Sequence, residues 1–423
     1  MNSKTTTALS SDIRLPTLST DACWGQQTRA PLALRLTNGA LSILPARRLT
    51  SGALIDAARR KTGLKDLGDE FFLPALDKLL ESLHEEARLT PAGRLIQKKR
   101  ITDLLANRLR LEEEFKKKPE LSQTELLPPV MIAGLQRTGT TLLHRLLASH
   151  PHTRSLPSWE VLNPGPLPRD PENKRRKKLA RQAEKGLQLI APQFFAIHPI
   201  EADSVEEEVL LLELSFMSQT GEAIMRVPSY AAWLEAQDQK PAYDYMVKVL
   251  KLMQARTPAA KHWILKSPHH MEWLETAIAA MPELRIIQTH RNPEATVASF
   301  CSMVCHGQAV FSNQVNAHEV GRHWLKKIRR LTERTLETRR RSPDRFIDLR
   351  YEDLVEDPQR ELKMLHEKLH WSIDENSQQA LENELRHSRK GRFGQHHYSL
   401  TDFGLTPNDI KVELQAYLST YGF

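Results

Sequence analysis

The chain carries a short loop whose residue types suit the binding of an anion, "GLQRTGTT" at 134–141. It follows the apolar run "VMIA" and precedes the helix-like "LLHRLLASH". Backbone N–H groups of such a loop and of the following first helical turn point at a bound anion, and the helix dipole adds favourable potential. Gly139 permits close approach, Thr140 and Thr141 add hydroxyl donors, and Arg137 adds a permanent positive charge. The loop therefore predicts an anion site.

The loop differs from the triphosphate-binding pattern G-x-x-x-x-G-K-[ST], because Thr140 holds the position of the lysine. Without a lysine to reach the β- and γ-phosphates, we expect a shorter anion than a nucleoside triphosphate. A nucleotide kinase or NTPase is the first alternative, although no apolar strand ends in a magnesium-binding aspartate. A nucleotide- or nucleic-acid-binding protein without catalysis is the second.

Two later stretches lie at the ends of apolar runs, "HRNPEATVAS" (290–299) and "LRYEDLVEDP" (349–358), and a glycine-containing basic loop, "RKGRFG" (389–394), lies near the C-terminus. Arg291 leaves the end of a predicted strand, and Ser299 falls about two turns into the next predicted helix. Both side chains can therefore meet one phosphate, the arginine by a charge-assisted fork and the serine by its hydroxyl.

Taken together, these stretches resemble the sulfotransferases that use 3′-phosphoadenosine 5′-phosphosulfate (PAPS). The resemblance implies that the first loop holds the 5′-phosphosulfate, and its residues there are Arg137, Thr138, Gly139, Thr140 and Thr141. It assigns the 3′-phosphate to Arg291 and Ser299, and a position beside the adenine to Tyr351. The later basic loop, with Arg389, Lys390 and Gly391, would close over the nucleotide.

The resemblance also implies the reaction: in-line transfer of a sulfuryl group from PAPS to a hydroxyl or amine of a small-molecule acceptor, with no metal. Lys266, in "HWILKSPHH", matches the lysine that contacts the transferred group. Cytosolic members carry a histidine two residues later, where this chain has Pro268. For the general base the candidates are therefore Glu160 first, His270 second and His269 third.

The acceptor pocket is predicted from the segments 155–167, 194–208 and "CSMVCHG" (301–307). Trp159, Phe194 and Phe195 would give it an apolar wall, which favours an uncharged or amphipathic alcohol or phenol. These aromatic side chains are at least as typical of ordinary core packing.

Short apolar runs that alternate with helical segments indicate the elements that hold these residues. The runs are "PVMIAG", "HWILKSP", "LRIIQTHR" and "RFIDLRYED", and helices are expected at 140–149, 270–280, 293–304 and 357–370. The pattern predicts an α/β fold, a P-loop NTPase-like parallel sheet flanked by helices. Ligands of such sheets bind beyond the carboxyl ends of the strands.

The remaining segments read as helices or as irregular chain. Residues 1 to about 50 suggest an irregular arm, and 51–118 three amphipathic helices, so we divide the chain into an N-terminal helical extension (1–125) and a sulfotransferase domain (126–423). Long helices are expected at 203–218, 241–256 and 314–340.

Composition limits the class of protein. The net charge of +8 suits an anionic ligand, but the basic runs at 174–178 and 339–341 lack the interleaved aromatic residues of a nucleic-acid platform. Cys23, Cys301 and Cys305 form no disulfide framework or metal spacing. No signal peptide or membrane span is evident, so a cytoplasmic protein is expected, with the oligomeric state open and a homodimer among the options.

Overall fold

The computed structural model describes residues 32–42, 48–257, 259–372, 374–387 and 398–423. At its centre is a parallel sheet of five strands in the order β2-β3-β1-β4-β5. The strands are β1 (Pro129–Ile132), β2 (Thr153–Arg154), β3 (His262–Lys266), β4 (Arg285–His290) and β5 (Phe346–Arg350). The predicted α/β fold with a parallel sheet is confirmed.

The central strands are apolar because helices cover both faces of the sheet. All four residues of β1 are buried, and it pairs with β3 on one side and with β4 on the other. The pairing sets Ile132 beside Lys266. The chain therefore leaves β1 and β3 at the same edge of the sheet.

Helices fill the rest of the described chain. In the N-terminal part they are Leu32–Leu41, Ser51–Thr62, Leu73–Glu85, Pro91–Lys117 and Glu120–Gln123. Between β1 and β3 they are Thr140–Ala148, Ser158–Val161, Lys174–Ile190, Pro192–Ile197, Val209–Leu212, Thr220–Ile224, Pro228–Glu235 and Lys240–Gln254. The later helices are Leu274–Ala280, Pro293–Ala309, Ala317–Arg341, Tyr351–Glu356, Pro358–Leu369, Glu375–His387, Pro407–Glu413 and Gln415–Tyr421. Short 3₁₀ helices span Glu213–Ser215, Pro268–Glu272, Pro343–Arg345 and Leu400–Phe403.

The four strands expected from apolar runs are present, and so are the three amphipathic helices between 51 and 118. Strand β2 was not predicted, because two residues carry no periodic signal. The irregular arm was predicted too long: Leu32–Leu41 is a helix, and Asn38 accepts a hydrogen bond from the backbone N–H of Ala92 at 2.9 Å. This tertiary contact stabilises a helix that the local sequence pattern does not indicate.

The helix expected at 203–218 is also wrong at its beginning. The helix starts only at Val209 and ends at Leu212. Residues 205–207 form a short extended segment before it, and Glu208 is a turn residue with φ −70° and ψ −7°. Glu206 N–H donates to Leu156 O at 2.8 Å, and Val205 forms an antiparallel bridge with Pro157. Glu207 and Glu208 thus lie where this segment passes into the helix.

The N-terminal helices and the sheet share one hydrophobic core. Leu54 and Phe72 belong to the same buried cluster as Trp263 of β3. Arg108, fully buried on the helix Pro91–Lys117, donates to Leu67 O at 2.7 Å and to Leu214 O at 3.2 Å. A buried guanidinium is tolerated because carbonyl oxygens satisfy its donors. The division of the chain near residue 125 remains a prediction.

Two of the three cysteines lie in the described chain. Cys301 and Cys305 are buried free thiols, and burial raises the pKa of Cys301 to about 12. Cys23 lies outside the described residues. Over the described ranges, we find no helix with the length and apolar character needed to cross a membrane.

Candidate active site

A cavity of about 200 Å³ lies where the carboxyl ends of the strands meet. Its walls are formed by Gln136, Arg137, Gly139, Thr140, Thr141, His198, Glu207, Pro268, Arg291, Met303 and Tyr351. A cavity of about 230 Å³ lies elsewhere, around Glu222 and Trp324, and is lined by none of the predicted site residues. The first cavity is therefore the candidate site.

Two glycines let the first loop pass close to its neighbours. A Cβ at Gly134 would collide with the hydroxyl of Thr289 at the end of β4. Gly139 has φ +84° and immediately precedes the helix Thr140–Ala148, and a Cβ there would lie 2.9 Å from the ring of Tyr351. Both steric limits and the left-handed conformation require glycine at the second position.

Arg137 connects the first loop to the second predicted motif. Its backbone has φ +69°, an uncommon conformation for a residue with a side chain, and such strain is often found at functional sites. Its Nε donates to Ser299 Oγ at 3.1 Å, and its carbonyl accepts from Arg291 Nη1 at 3.0 Å. Residues more than 150 positions apart in the sequence therefore meet at one point.

Arg291 also contacts the residue that follows β5. Its guanidinium lies 4.1 Å from the ring centroid of Tyr351, the first residue of the helix Tyr351–Glu356. The stacked pair forms one wall of the cavity with Gly139. An aromatic ring and a cation at one edge suit a planar group that carries negative charge.

The threonines of the first loop differ in their surroundings. Thr140 and Thr141 line the cavity. Thr138 is fully buried, and its hydroxyl donates to Leu135 O at 2.6 Å beside Thr289 Oγ1. Its side chain therefore stabilises the loop rather than facing the cavity. The predicted nucleotide-closing residues Arg389, Lys390 and Gly391 lie outside the described residues.

Lys266, the last residue of β3, pairs with a glutamate that was not singled out from the sequence. Its Nζ lies 2.5 Å from Glu207 Oε1, and the Ser267 hydroxyl donates to Glu207 Oε2 at 2.9 Å. Burial alone would raise the pKa of Glu207, but the charge and hydrogen bond of Lys266 hold it below its usual value. The cavity wall thus carries an ionised carboxylate backed by a buried ammonium.

His198 lines the same cavity and was also not singled out. Burial lowers the pKa of its imidazole, and Lys266 and Arg137 oppose the charged form further, although two nearby glutamates favour it. The ring is therefore neutral near pH 7. His198 and Glu207 both belong to the 194–208 segment predicted to border the acceptor pocket, and the "EEE" run was the available signal for the glutamate.

Glu160, the first-ranked base, does not line the cavity. Its side chain is 2% exposed and is paired with Arg154 and, at 3.4 Å, with Arg256. Its backbone lies near the extended segment that carries Glu207, since Trp159 N–H donates to Ala202 O at 2.9 Å. Both ion pairs hold the carboxylate outside the lining of this cavity.

His270 and His269 are buried and do not line the cavity either. His270 is held by Glu208 and Tyr243, each at 2.7 Å. His269 Nδ1 accepts from the backbone N–H of Gln219 at 3.3 Å, and its ring packs against Trp273. Burial lowers the pKa of His269 well below its usual value. Both rings therefore point into the protein interior.

The aromatic residues predicted for the acceptor wall are spread over different surroundings. Phe195 is buried in the interior, while Phe194 packs near Gly307. The ring of Trp159 lies under the guanidinium of Arg176. In the described part of the chain, no three His, Cys, Asp or Glu side chains are arranged to hold a metal ion.

Comparison with solved structures relates this geometry to known proteins. The sulfotransferase STF1 from Mycobacterium tuberculosis H37Rv is 30% identical, with a TM-score of 0.75 over 87% of this chain and 99% of that one. The sulfotransferase STF9 from Mycobacterium avium is 24% identical, with a TM-score of 0.81 over 89% of this chain and 98% of that one. The second likeness supports the fold alone.

No curated protein matches the chain. The match to the sulfotransferase family covers residues 128–375. This range runs from the residue before β1 to the first residue of the helix Glu375–His387. This range contains both the loop after β1 and the arginine after β4, and it is more than half of the chain. The protein therefore belongs to the sulfotransferase family.

Proposed function

We propose that this sulfotransferase takes its sulfuryl group from PAPS and transfers it to a hydroxyl or amine of a small-molecule acceptor. The observation that carries the proposal is one cavity with two kinds of wall. Arg137 and Arg291 supply positive charge at one side, and Glu207, backed by Lys266, supplies a carboxylate at the other. A polyanionic donor and an acceptor that must lose a proton need these groups side by side.

The donor side fits a nucleotide with two separate anionic groups. The amides of the loop and of the helix beginning at Thr140 suit the 5′-phosphosulfate. Ser299 and Arg291, which both contact Arg137, suit the 3′-phosphate, and the Tyr351 ring suits the adenine. When bound, PAPS supplies an activated sulfuryl group on a phosphate leaving group.

Lys266 is the cation proposed to stabilise charge that develops during transfer. Its side chain is 4% exposed and lies directly behind Glu207 of the cavity wall, so its charge acts through little intervening water. It has three donors, and Glu207 occupies one of them in this structure. The remaining donors can reach toward the bridging oxygen between the sulfuryl group and the phosphate, where negative charge accumulates.

We assign the general base to Glu207 rather than to Glu160, His270 or His269. Glu207 lines the cavity, whereas the carboxylate of Glu160 and the two rings are buried elsewhere. Its carboxylate can accept the proton of an acceptor hydroxyl held next to Lys266. The neutral ring of His198 beside it adds no competing positive charge.

Calorimetry with 3′-phosphoadenosine 5′-phosphate, the product nucleotide, tests the donor assignment. We expect binding by the wild type, and a loss of roughly 10-fold to 100-fold in affinity for Arg291→Ala, because a charge-assisted pair contributes about 1.5–3 kcal/mol. Arg340→Ala, an exposed arginine on the helix Ala317–Arg341, is the matched control and should bind as the wild type does.

Titration of the same proteins with ATP and magnesium tests the kinase or NTPase alternative. Tight ATP binding together with no binding of the bisphosphate would overturn the proposal. Equal affinity of Arg291→Ala and wild type would remove Arg291 from the donor site.

A further inference from the structure

Behind the cavity, the glutamate next to Glu207 begins a buried chain of hydrogen bonds. Glu208 Oε2 accepts from the backbone N–H of Lys266 at 2.7 Å, and its Oε1 lies 2.7 Å from His270 Nε2. His270 Nδ1 lies 2.7 Å from the hydroxyl of Tyr243. The exposed fractions of Glu208, His270 and Tyr243 are 1%, 0% and 0%. Bulk water therefore does not compete for these bonds.

The donors and acceptors of this chain can be assigned from one end to the other. A carboxylate accepts hydrogen bonds, so His270 Nε2 carries a proton and donates a hydrogen bond to Glu208. Burial, with help from the negative charges nearby, raises the pKa of the Tyr243 hydroxyl well above its usual value, so this hydroxyl stays protonated. It can therefore donate to His270 Nδ1. Each atom in the chain has a matching partner.

The chain of hydrogen bonds ends on the backbone of Lys266, whose ammonium contacts Glu207 in the cavity wall. Lys266 is the last residue of β3. It lies beside Ile132 of β1, whereas the pairing of β3 with β2 on the other edge ends at Trp263. Glu208 accepts a hydrogen bond from the Lys266 amide, while Glu207, in the cavity wall, contacts the Lys266 ammonium. The two glutamates are adjacent in the sequence but bind different groups of the same lysine.

The same segment also fixes the turn that follows Lys266. The Ser267 hydroxyl donates to Glu207 and accepts from the backbone N–H of His269 at 3.3 Å. The 3₁₀ helix Pro268–Glu272 then brings His270 back to Glu208. Two adjacent carboxylates thus hold both the strand end and the helix after it.

We propose that Glu208, His270 and Tyr243 are positioning residues, which hold Lys266 and Glu207 in the geometry needed for transfer. The proposal rests on the proposed function, because it takes Lys266 and Glu207 as the catalytic pair. It gives His270 a structural place in catalysis with no direct contact to the acceptor. Displacement of reacting groups by about 1 Å can cost roughly 100-fold in rate.

Single-turnover transfer of ³⁵S from labelled PAPS to 2-naphthol, used as a probe acceptor, measures the effect on rate. Tyr243→Phe and His270→Gln should lower the rate of transfer roughly 10-fold, because small displacements of catalytic groups are costly. Affinity for 3′-phosphoadenosine 5′-phosphate should stay near the wild-type value. Because a buried hydrogen bond is lost, the melting temperature should fall, so the rate is compared per folded molecule well below the melting transition. Because the glutamine amide can still donate to Glu208, His270→Gln should be faster than His270→Leu.

The matched control is His269→Gln, an equally buried histidine next in sequence that does not contact Glu208. It should retain the wild-type rate of transfer. Equal losses in His269→Gln and His270→Gln, or losses that disappear when the rate is taken per folded molecule, would overturn the positioning role.

A nitrogen-15 NMR measurement of the histidine tautomers separates this proposal from the proposed function. The chain of hydrogen bonds requires the proton of His270 on Nε2, and Tyr243→Phe should shift the resonance of His270 Nδ1. If a neutral His270 carries its proton on Nδ1, the assigned chain of hydrogen bonds is wrong, independently of which group the enzyme transfers. Failure of the wild type to bind the bisphosphate, with the predicted tautomer present, would instead reject the proposed donor.

Discussion

The two sides of the cavity are built in different ways. The donor side comes from strand–loop–helix units, in which Gly139 and Arg291 lie just after β1 and β4. The side proposed for the acceptor, with Glu207 and Lys266, is called the acceptor side. It joins the segment carrying Glu207 to the end of β3, 59 residues later in the chain. The donor side is therefore encoded by contiguous motifs, whereas the acceptor side depends on which segments pair in three dimensions.

The largest expected effect is on the acceptor side. Glu207→Gln removes the proposed proton acceptor and should lower kcat by roughly 10²–10⁴, the usual contribution of general base catalysis. Calorimetry should find the affinity for 3′-phosphoadenosine 5′-phosphate within about twofold, because the donor walls are unchanged. If Glu207→Gln has the wild-type kcat, another residue acts as the general base.

Glu160→Gln should affect stability more than turnover. Glu160 is buried between Arg154 and Arg256, and breaking a buried ion pair leaves an uncompensated charge at a cost of about 3–5 kcal/mol. Urea denaturation measures this loss, and kcat per folded molecule should remain within a few-fold of the wild type. A loss of turnover as large as that of Glu207→Gln, with unchanged stability, would make Glu160 the base.

On the donor side, Gly139→Ala should weaken nucleotide binding and stability together. The left-handed backbone and the approach to Tyr351 at 2.9 Å both oppose a Cβ, and strained backbone costs about 1–3 kcal/mol. Gly186→Ala is the matched control, since a Cβ in that helix meets open space and alanine favours helix by up to about 1 kcal/mol. Thermal denaturation should therefore give shifts of opposite sign for the two variants.

The smallest expected effect is the pH dependence of kcat/KM above pH 6. A base must be unprotonated, and Lys266 holds the pKa of Glu207 below its usual value, so acidification to pH 6 leaves the carboxylate ionised. Between pH 8 and pH 6 we expect a change of less than about twofold from this group. A tenfold fall per pH unit beginning near 6.5 would indicate a histidine base instead.

Much of the fold and the donor side was predictable from local patterns. Buried parallel strands are continuous apolar runs, so β1, β3, β4 and β5 were visible in the sequence, and the residues after them were expected at one edge. Contact between Arg137, Ser299 and Arg291 agrees with that expectation. Their roles toward PAPS remain predictions.

The acceptor side shows where local patterns are insufficient. The run around Glu207 has a composition that favours helix, but pairing with the chain near Pro157 keeps it extended. Glu160 and His270 had suitable positions in the sequence, yet each has buried partners that satisfy its polar atoms. A desolvated polar group takes the partner that the fold supplies, and that partner can be distant in the sequence.

By itself, the sequence determined the parallel sheet, the glycine-containing loop after β1 and the arginine after β4. These depend on hydrophobic period, on glycine and on residues close together along the chain. Only the tertiary structure decided which carboxylate faces the cavity. Glu207 and Glu208 are adjacent and identical in type, yet Glu207 lines the cavity and contacts the Lys266 ammonium, while Glu208 is buried and binds the Lys266 amide and His270. These partners lie on β3 and in the turn after it, far from both glutamates in the sequence.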